Sequence, residues 1–328
     1  MKHIAACALS ALAMTLTAGS ASASDDKAYP SRPITIIVGV APGGSLDALA
    51  RLVGNSLSEI TKQSVIVENV TGAGGLLGFQ RLTKSAPDGY TVMFSNNSMV
   101  LIPLLHPQSG IDVVADTTPI GTVANVPMVL SMSNKSGITD LPDLLKKMRS
   151  GALRPNMGSG GPGTTSHLAE AMFLRMSGGA GELVQYRGSG PALTDLMAGT
   201  IEAMIDQTVT MMSLHKDGRI KSIAVASQAR LPQMPDVPTF AEGGLGEFNL
   251  QIWNGLVAPK GTPKHVVDAL SKALSQVLDT PEYKARMDQL AAQIPDAQAR
   301  SPEGFKQTLV RDQKQLAELA KQIGLSPR

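Results

Sequence analysis

An apolar, β-branched segment that runs directly into a glycine turn and a helix-forming stretch sets the fold class of this chain. Residues 34–40 read Ile-Thr-Ile-Ile-Val-Gly-Val, a pattern typical of a parallel strand covered on both faces. Residues 42–45, Pro-Gly-Gly-Ser, follow at once, and apolar side chains then recur at helical spacing as far as Leu57, with Ser45 placed to cap the helix. Strand, tight turn and helix in immediate succession predict an α/β fold.

The same succession returns in the second half of the chain. A glycine turn at residues 158–163 leads into a helix predicted over 165–176. Three C-terminal helices, each started by a proline, carry narrow apolar stripes and are expected to pack on the first block. Two blocks of alternating elements predict two sheets. Further strands are predicted at 65–67, 91–94, 128–132, 183–186, 201–206, 223–226 and 253–259.

Composition excludes several classes of protein. Of the 328 residues, 43% are hydrophobic and 17% charged, which is too apolar and too weakly charged for a disordered chain. The formal net charge of +2 gives no field to attract a polyanion, so nucleic acid is not expected as a partner. Cys7 is the only cysteine and lies in a segment that we expect to be removed, which excludes disulfides, thiolate metal sites and cysteine catalysis.

The amino terminus predicts export. Lys2 and His3 precede an apolar stretch at residues 4–16, and Ala21-Ser22-Ala23 has the small-x-small pattern that signal peptidase accepts. A membrane anchor is the alternative, but the stretch is shorter than the ~20 apolar residues that span a bilayer. We therefore expect a signal peptide at residues 1–23, cleavage after Ala23 and a periplasmic protein.

The two glycine turns are the strongest candidates for a ligand site. A turn that leads straight into a helix presents backbone N–H groups and the positive end of the helix dipole at one point, which is an anion site without a charged side chain. Two such turns facing each other across a cleft form a clamp for a carboxylate. The alternative is that the glycines only permit tight turns.

The sequence lacks most of the motifs that identify enzymes and cofactor sites. Residues 158–163 match the pattern G-x-G-x-x-G, but the preceding strand is polar and contains Pro155. A dinucleotide site also needs an acidic residue at the end of the next strand, whereas Glu182 lies at the start of that strand. There is no phosphate-loop lysine motif and no G-x-S-x-G elbow. The five histidines are far apart in the sequence, so neither a metal nor a cofactor is expected.

Five individual residues have both a functional and a structural interpretation. His167 either donates to a ligand or caps and packs its helix, and Asp47 either orients a ligand amine or satisfies the N–H groups of a first helical turn. Asp206 ends a strand near the expected cleft, where a functional role and a turn role are both open. Tyr186 and Trp253 are cleft walls or core residues.

Eight short motifs, taken in order, resemble the extracytoplasmic solute-binding receptors of tripartite tricarboxylate transporters, the Bug family. The similarity runs from about Tyr29 almost to the carboxyl end. The motifs lie at residues 29–34, 42–51, 67–75, 86–90, 165–168, 186–192, 235–239 and 258–263.

The resemblance implies a type II periplasmic-binding-protein fold, in which two α/β domains joined by a hinge close on a small carboxylate. We expect residues 30–124 and 227–328 to form one domain and residues 125–226 the other. With Asp47, the implied site comprises Gly43, Gly44 and Ser45 of the first turn; Ser159, Thr164, Thr165, Ser166 and His167 of the second; and the strand-end residues Ser95, Asn96, Tyr186, Gly188, Ser189 and Asp206.

The implied function is that of a monomeric receptor that binds a mono-, di- or tricarboxylate and hands it to the large and small membrane subunits of a tripartite tricarboxylate transporter. It is not expected to be an enzyme. A sensing module that presents a carboxylate to a signalling protein remains an alternative, because the same clamshell serves both roles. A periplasmic hydrolase would need Ser45 or Thr165 to be activated, and no histidine or acid is placed by the sequence to do so.

Overall fold

The computed structural model describes residues 29–246 and 248–325, and the predicted signal peptide at residues 1–23 lies outside them. The strands are β1 (Ile34–Val38), β2 (Val65–Asn69), β3 (Thr91–Asn96), β4 (Thr117–Ser133), β5 (Asn156–Ser159), β6 (Glu182–Gln185), β7 (Ala203–Gln207), β8 (Ile220–Val225) and β9 (Gln251–Pro259). The helices are α1 (Ser45–Thr61), α2 (Leu76–Thr83), α3 (Ile102–Leu105), α4 (Val113–Asp116), α5 (Leu141–Arg149), α6 (Thr165–Ser177), α7 (Ser189–Ala198), α8 (Thr208–Lys216), α9 (Lys264–Asp279), α10 (Pro281–Gln289) and α11 (Pro302–Gln322). The predicted alternation of strands and helices is confirmed.

The strands form two sheet halves that share β4. In the first half, β1 lies between β2 and β3 with all three parallel, and β9 joins β3 to β4 in antiparallel pairing. In the second half, β5 pairs in parallel with β6 and β7, while β7 and β8 flank β4 in antiparallel pairing. We call the half built on β1, β2, β3 and β9 the first lobe and the half built on β5, β6, β7 and β8 the second lobe.

β4 is a single strand of 17 residues that passes from one lobe into the other. Its first part, as far as Pro127, pairs with β9, and its second part, from Met128, pairs with β7 and β8. Sequence analysis placed a strand only at 128–132, because proline and glycine interrupt the preceding residues. The structure accommodates Pro119 and Gly121 at a register shift against β9.

The predicted domain boundaries fall at two places where the chain passes between the lobes. The boundary between residues 124 and 125 lies inside β4, shortly before its pairing changes from β9 to β7 and β8. The boundary between residues 226 and 227 lies just after β8. The division into two separate domains stays a prediction.

Apolar faces of the helices close the first lobe around its sheet. Leu49 and Val53 of α1 are fully buried in one cluster with Leu274 and Val277 of α9. Phe305 of α11 is buried with residues from the region after β3 and from β4. The prediction that the C-terminal helices pack on the first block is confirmed. No helix within residues 29–246 and 248–325 is both long and apolar enough to cross a membrane.

Candidate ligand-binding cleft

The two lobes meet along their glycine turns, backbone against backbone. The N–H group of Ala41 donates to the carbonyl oxygen of Arg187 at 2.9 Å. A Cβ atom on Gly190 would overlap the carbonyl oxygen of Pro42, so only glycine permits this approach. Residues 41–44 and 187–190 therefore form the two lips of a cleft, and the lips are in contact.

A small space of about 20 Å³ lies behind the lips, and we call it the inner cavity. That volume holds about one water molecule. Of the predicted site residues, those that line it are Asn96, Thr164, Thr165, Ser166, Gly188, Ser189 and Asp206. Those that line it but were not predicted as site residues are Val40, Leu46, Ser98, Gly160 and Gln207.

Four helices begin at the inner cavity. Leu46 belongs to the first turn of α1, Thr165 and Ser189 are the first residues of α6 and α7, and Gln207 is the N-cap of α8. Three of these helices, α1, α7 and α8, have no side-chain hydrogen bond at the N-cap. Because each helix directs N–H groups and a partial positive charge at its start, the cavity lies at the meeting point of four positive helix ends.

Asp206, the penultimate residue of β7 in the second lobe, is the acidic side chain at this point and is 2% exposed. The hydroxyls of Ser45 and Thr210 each lie 3.3 Å from Asp206 Oδ2 and 2.8 Å from each other. Burial raises the pKa of Asp206 to about 6, although the N–H group of Gln207 and the hydroxyls of Ser189, Thr210 and Ser45 act to lower it. Asp206 thus ties the first lobe, through Ser45, to the second.

Ser45 itself has a role different from the one predicted. Gly44 is the N-cap of α1 and no side chain caps the helix, so the prediction that Ser45 caps it is wrong. The hydroxyl of Ser45 points across the cleft to Asp206 and Thr210 instead. Sequence reasoning had no means of finding this partner, because 161 residues separate Ser45 from Asp206.

Asp47 holds the first turn from within. Its carboxylate accepts from the N–H group of Gly43 at 3.0 Å, from Arg51 Nε at 3.1 Å and from Asn69 Nδ2 at 2.9 Å. Burial acts to raise the pKa of Asp47, but these hydrogen bonds outweigh it and leave the pKa below its ordinary value. Asp47 does not line the inner cavity, and the Gly43 amide is engaged inside the turn.

The second turn is also braced by its own side chains. The N–H group of Gly160 donates to Ser166 Oγ at 2.8 Å, and that of Gly163 donates to His167 Nδ1 at 3.1 Å. Thr164 caps α6 by accepting from the N–H group of His167. These glycine amides are therefore occupied within the turn, and the anion-binding capacity of this lobe lies in the first turns of α6 and α7.

A larger outer cavity of about 410 Å³ adjoins the inner one, with Val40 and Gly160 lining both. Tyr186 and Arg187 line it from the second lobe. The hydroxyl of Tyr186 donates to Asp195 at 2.5 Å, and burial together with that carboxylate raises the pKa of Tyr186 to about 12. The rest of its lining comes from Gly39 and Val40 after β1, residues 71–74, Leu77 of α2 and residues 160–162 of the second glycine turn.

The remaining predicted residues lie around these cavities. Ser95 and Ser159 are buried in β3 and β5, and the Ser159 hydroxyl accepts from the N–H group of Gly161. Trp253 lines neither cavity, and its indole N–H donates to Asp312 on α11 at 2.7 Å. In the described part of the chain no group of three or more histidine, cysteine, aspartate and glutamate residues could hold a metal ion.

A local sequence pattern could have identified some of the lining residues that were not predicted. Val40, Leu46 and Gly160 directly flank or belong to the glycine turns, and Gln207 follows Asp206. Ser98 is positioned by Asn96, whose Oδ1 accepts from both the N–H group and the hydroxyl of Ser98. A turn of this type is recognisable from an asparagine two residues before a serine.

The sequence model of a family described as "Tripartite tricarboxylate transporter family receptor" matches residues 49–325. The chain belongs to this family. It is 34% identical to Protein BugT of Bordetella pertussis over 84% of this chain and 85% of that protein.

Solved structures agree with this assignment. The periplasmic binding protein BugD is 33% identical, with a TM-score of 0.87 over 92% of this chain and all of its own. MatC from Rhodopseudomonas palustris, solved with bound malate, is 30% identical, with a TM-score of 0.83 over 89% of this chain and 99% of its own. A second R. palustris protein, solved with adipate, is 29% identical, with a TM-score of 0.86 over 92% of this chain and all of its own.

These similarities identify the class of protein to which the chain belongs. The predicted type II periplasmic-binding-protein fold and the assignment to the Bug receptors are confirmed. Like the members of its family and its structural neighbours, the chain is a solute-binding protein and not an enzyme.

Proposed function

We propose that this receptor captures a small carboxylate, mono-, di- or tricarboxylic, between its two lobes. The observation that carries the proposal is the convergence of four helix N-termini on one cavity. Backbone N–H groups at helix starts bind carboxylates without a charged side chain. The solutes of the two R. palustris relatives, malate and adipate, are small dicarboxylates.

Capture requires the lobes to move. The inner cavity, with about 20 Å³, is too small for a dicarboxylate, and the lips in front of it are in contact. The acid therefore enters when the lips separate and holds the lobes together afterwards, because the helix ends of both lobes reach it only in the closed form. This difference in affinity between open and closed forms is what drives closure.

The outer cavity gives room for the rest of a longer acid. One carboxylate at the helix ends leaves the remainder of the molecule directed towards the outer cavity, which shares Val40 and Gly160 with the inner one. The exposed guanidinium of Arg187 lines that space. A dicarboxylate fits this arrangement, with its second acid group beside Arg187.

The receptor acts in the periplasm and delivers its solute to the large and small membrane subunits of a tripartite tricarboxylate transporter. Support comes from the family and from the signal pattern that ends at Ala23. A receptor that must release its solute to a permease needs an affinity near micromolar, about −8 kcal/mol.

Calorimetric titration of the chain from residue 24 onwards with succinate, malate, adipate and citrate tests the binding. The matched controls are the uncharged diamides of the same acids. We expect saturable binding of at least one acid and none of its diamide, because an amide offers no anion to the helix ends. Equal binding of acid and diamide would contradict the proposal.

Transport is tested in a strain that lacks the gene. Uptake of the acid identified by calorimetry should be lost and restored by the gene on a plasmid. Uptake that persists while induction by the acid disappears would assign the protein to sensing instead.

A further inference from the structure

The wall of the inner cavity carries a carboxyl group of its own, which is unexpected in a site for acids. Asp206 lines the cavity at 2% exposure. Among the described residues that line this cavity there is no lysine, arginine or histidine. A bound acid would therefore lie beside a buried carboxylate without a cation to offset the repulsion.

Two carboxylates at contact distance in a buried site cannot both stay ionised. Their repulsion grows as water is excluded, and the usual outcome is that the pair retains one shared proton. The hydroxyls of Ser45, Ser189 and Thr210 donate to Asp206 but carry no charge. They are suited to either ionisation state, since a hydroxyl also accepts the hydrogen bond of a protonated acid.

We propose that this receptor takes up one proton on Asp206 when it closes on a carboxylate, so that proton and acid are bound together. The inference rests on the proposed function. Once protonated, Asp206 donates its O–H to the bound carboxylate, and a repulsive contact becomes a charge-assisted hydrogen bond. Without an acid the pKa of Asp206, about 6, leaves the group mostly ionised at neutral pH, so the proton must come from solution on binding.

Neighbouring groups do not replace Asp206 in this role. Glu170 of α6 is fully buried and lies outside the lining of the inner cavity, and burial, with a smaller contribution from the nearby Asp206, raises its pKa well above the ordinary value. His167 accepts from the N–H group of Gly163 through Nδ1, and a proton at that atom would break the hydrogen bond. Neither β4 nor β5 carries a titratable side chain. The other charged or titratable groups on elements packed against this site are Asp47, Arg51 and Glu59 of α1, Arg175 of α6, Asp195 of α7, and His215 and Lys216 of α8. Tyr186 and Arg187, just before α7, line the adjoining outer cavity and not the inner one.

Proton uptake makes affinity depend on pH in a defined direction. Above the pKa of free Asp206, each unit of pH should lower the association constant by up to about tenfold, because one more proton is bound in the complex than in the free protein. An acid that is fully ionised in this range contributes no dependence of its own. Adipate meets that condition above about pH 7.

Calorimetry in buffers of different ionisation enthalpy tests the inference. Adipate, or the acid that binds best, is titrated into the chain from residue 24 onwards at about pH 7.5. The slope of observed enthalpy against buffer ionisation enthalpy gives the number of protons taken up, which we expect to be close to one. Asp206→Asn, which resembles the protonated acid, should remove both the uptake and the pH dependence of affinity, while Glu170→Gln should leave the uptake in place.

Each outcome decides the matter. Binding without proton uptake, or with an affinity that stays flat across pH, overturns the inference and leaves the proposed function standing. Uptake that persists in Asp206→Asn also overturns it, since the proton then lies elsewhere. If Asp206→Asn fails to fold, the buffer series on the unmodified chain still tests proton uptake, and Glu170→Gln tests whether Glu170 is the group that takes the proton; loss of uptake in Glu170→Gln overturns the inference. Failure of the unmodified chain to bind any acid overturns the proposed function and this inference with it.

Discussion

The backbone N–H group of Ala41 donates to the carbonyl oxygen of Arg187 at 2.9 Å, and this single bond joins the main chains of the two lips. The contact involves no side-chain group, so its strength depends on how closely two backbones approach. That approach is possible because Gly188 and Gly190 have no Cβ, which in either residue would meet the opposite lip. The glycines thus serve closure directly, beyond permitting a tight turn.

Gly190→Ala should impair closure without harming the fold. The new Cβ would overlap the carbonyl oxygen of Pro42 on the other lobe, whereas alanine is favourable in the first turn of α7. We expect acid affinity to fall by about tenfold or more, with an unchanged melting temperature in the absence of acid. Small-angle scattering should show that this variant stays more open than the unmodified chain in saturating acid. Gly246→Ala, where nothing lies within 4 Å of a new Cβ, is the matched control, and an equal loss in both variants would refute the interpretation.

Ser45→Ala should weaken the link between the lobes. The substitution removes the hydroxyl that lies 3.3 Å from Asp206 and 2.8 Å from Thr210. A buried hydrogen bond contributes about 1 kcal/mol, so acid affinity should fall by about fivefold. Ser58→Ala, on the same helix with its hydroxyl on the Gln63 carbonyl, should bind acid normally. Titration calorimetry compares the two, and a normal affinity for Ser45→Ala would count against a role of this hydroxyl in closure.

Asp312→Ala should destabilise the packing of α11 on the first lobe. Asp312 Oδ2 accepts from Trp253 Nε1 at 2.7 Å and from Asn97 Nδ2 at 3.2 Å, and both donors are buried. Leaving them unsatisfied should cost about 3 kcal/mol of unfolding free energy, measured by urea denaturation with circular dichroism. Asp268→Ala, which breaks an exposed pair with Lys264, should cost less than about 1 kcal/mol. Equal losses would show that the buried bonds contribute little.

Glu170→Gln should change how stability depends on pH. Because the folded pKa of Glu170 is raised by burial, the unfolded state releases its proton first, and the unmodified chain loses stability as pH rises above the unfolded pKa. Glutamine has no proton to lose, so the difference in unfolding free energy, variant minus unmodified, should increase with pH. The increase should approach about 1.4 kcal/mol per pH unit. Urea denaturation from about pH 5 to about pH 8 measures this difference, and a constant value would mean that Glu170 is ionised in the fold.

Local patterns predicted most of the elements because their causes are local. The turn at residues 42–45 and the start of α6 at Thr165 follow from a glycine or a capping residue beside an apolar periodicity. The helix α6 begins where the sequence placed it, whereas α1 begins at Ser45, one residue before the start implied by a Ser45 cap. The first part of β4 was missed for a non-local reason. Pairing with β9 compensates for Pro119 and Gly121, and no short window of sequence shows that partner.

The cleft could be predicted only as two anion-binding turns. The residues that surround them were found through family motifs or by adjacency, but the contact of Ser45 with Asp206 depends on how two lobes meet. The partners of the glycine amides could not be predicted either, and these amides were expected to face a ligand. Side chains four to six residues further along, at Asp47 and at Ser166 and His167, accept from those amides in the folded chain.

β4 also restricts how the length of this chain can change. Its residues pair with β9 in one lobe and with β7 and β8 in the other, without a turn between the two stretches. Side chains alternate along a strand, so the loss or gain of one residue near Pro127 would turn over every side chain on one side of that point. One lobe would then present its core face to solvent, or rotate by half a turn and carry its helix ends away from the opposite lip. The relative orientation of the two lobes therefore depends on the number of residues in β4. A single-residue insertion, which a surface loop would tolerate, should abolish binding when placed here.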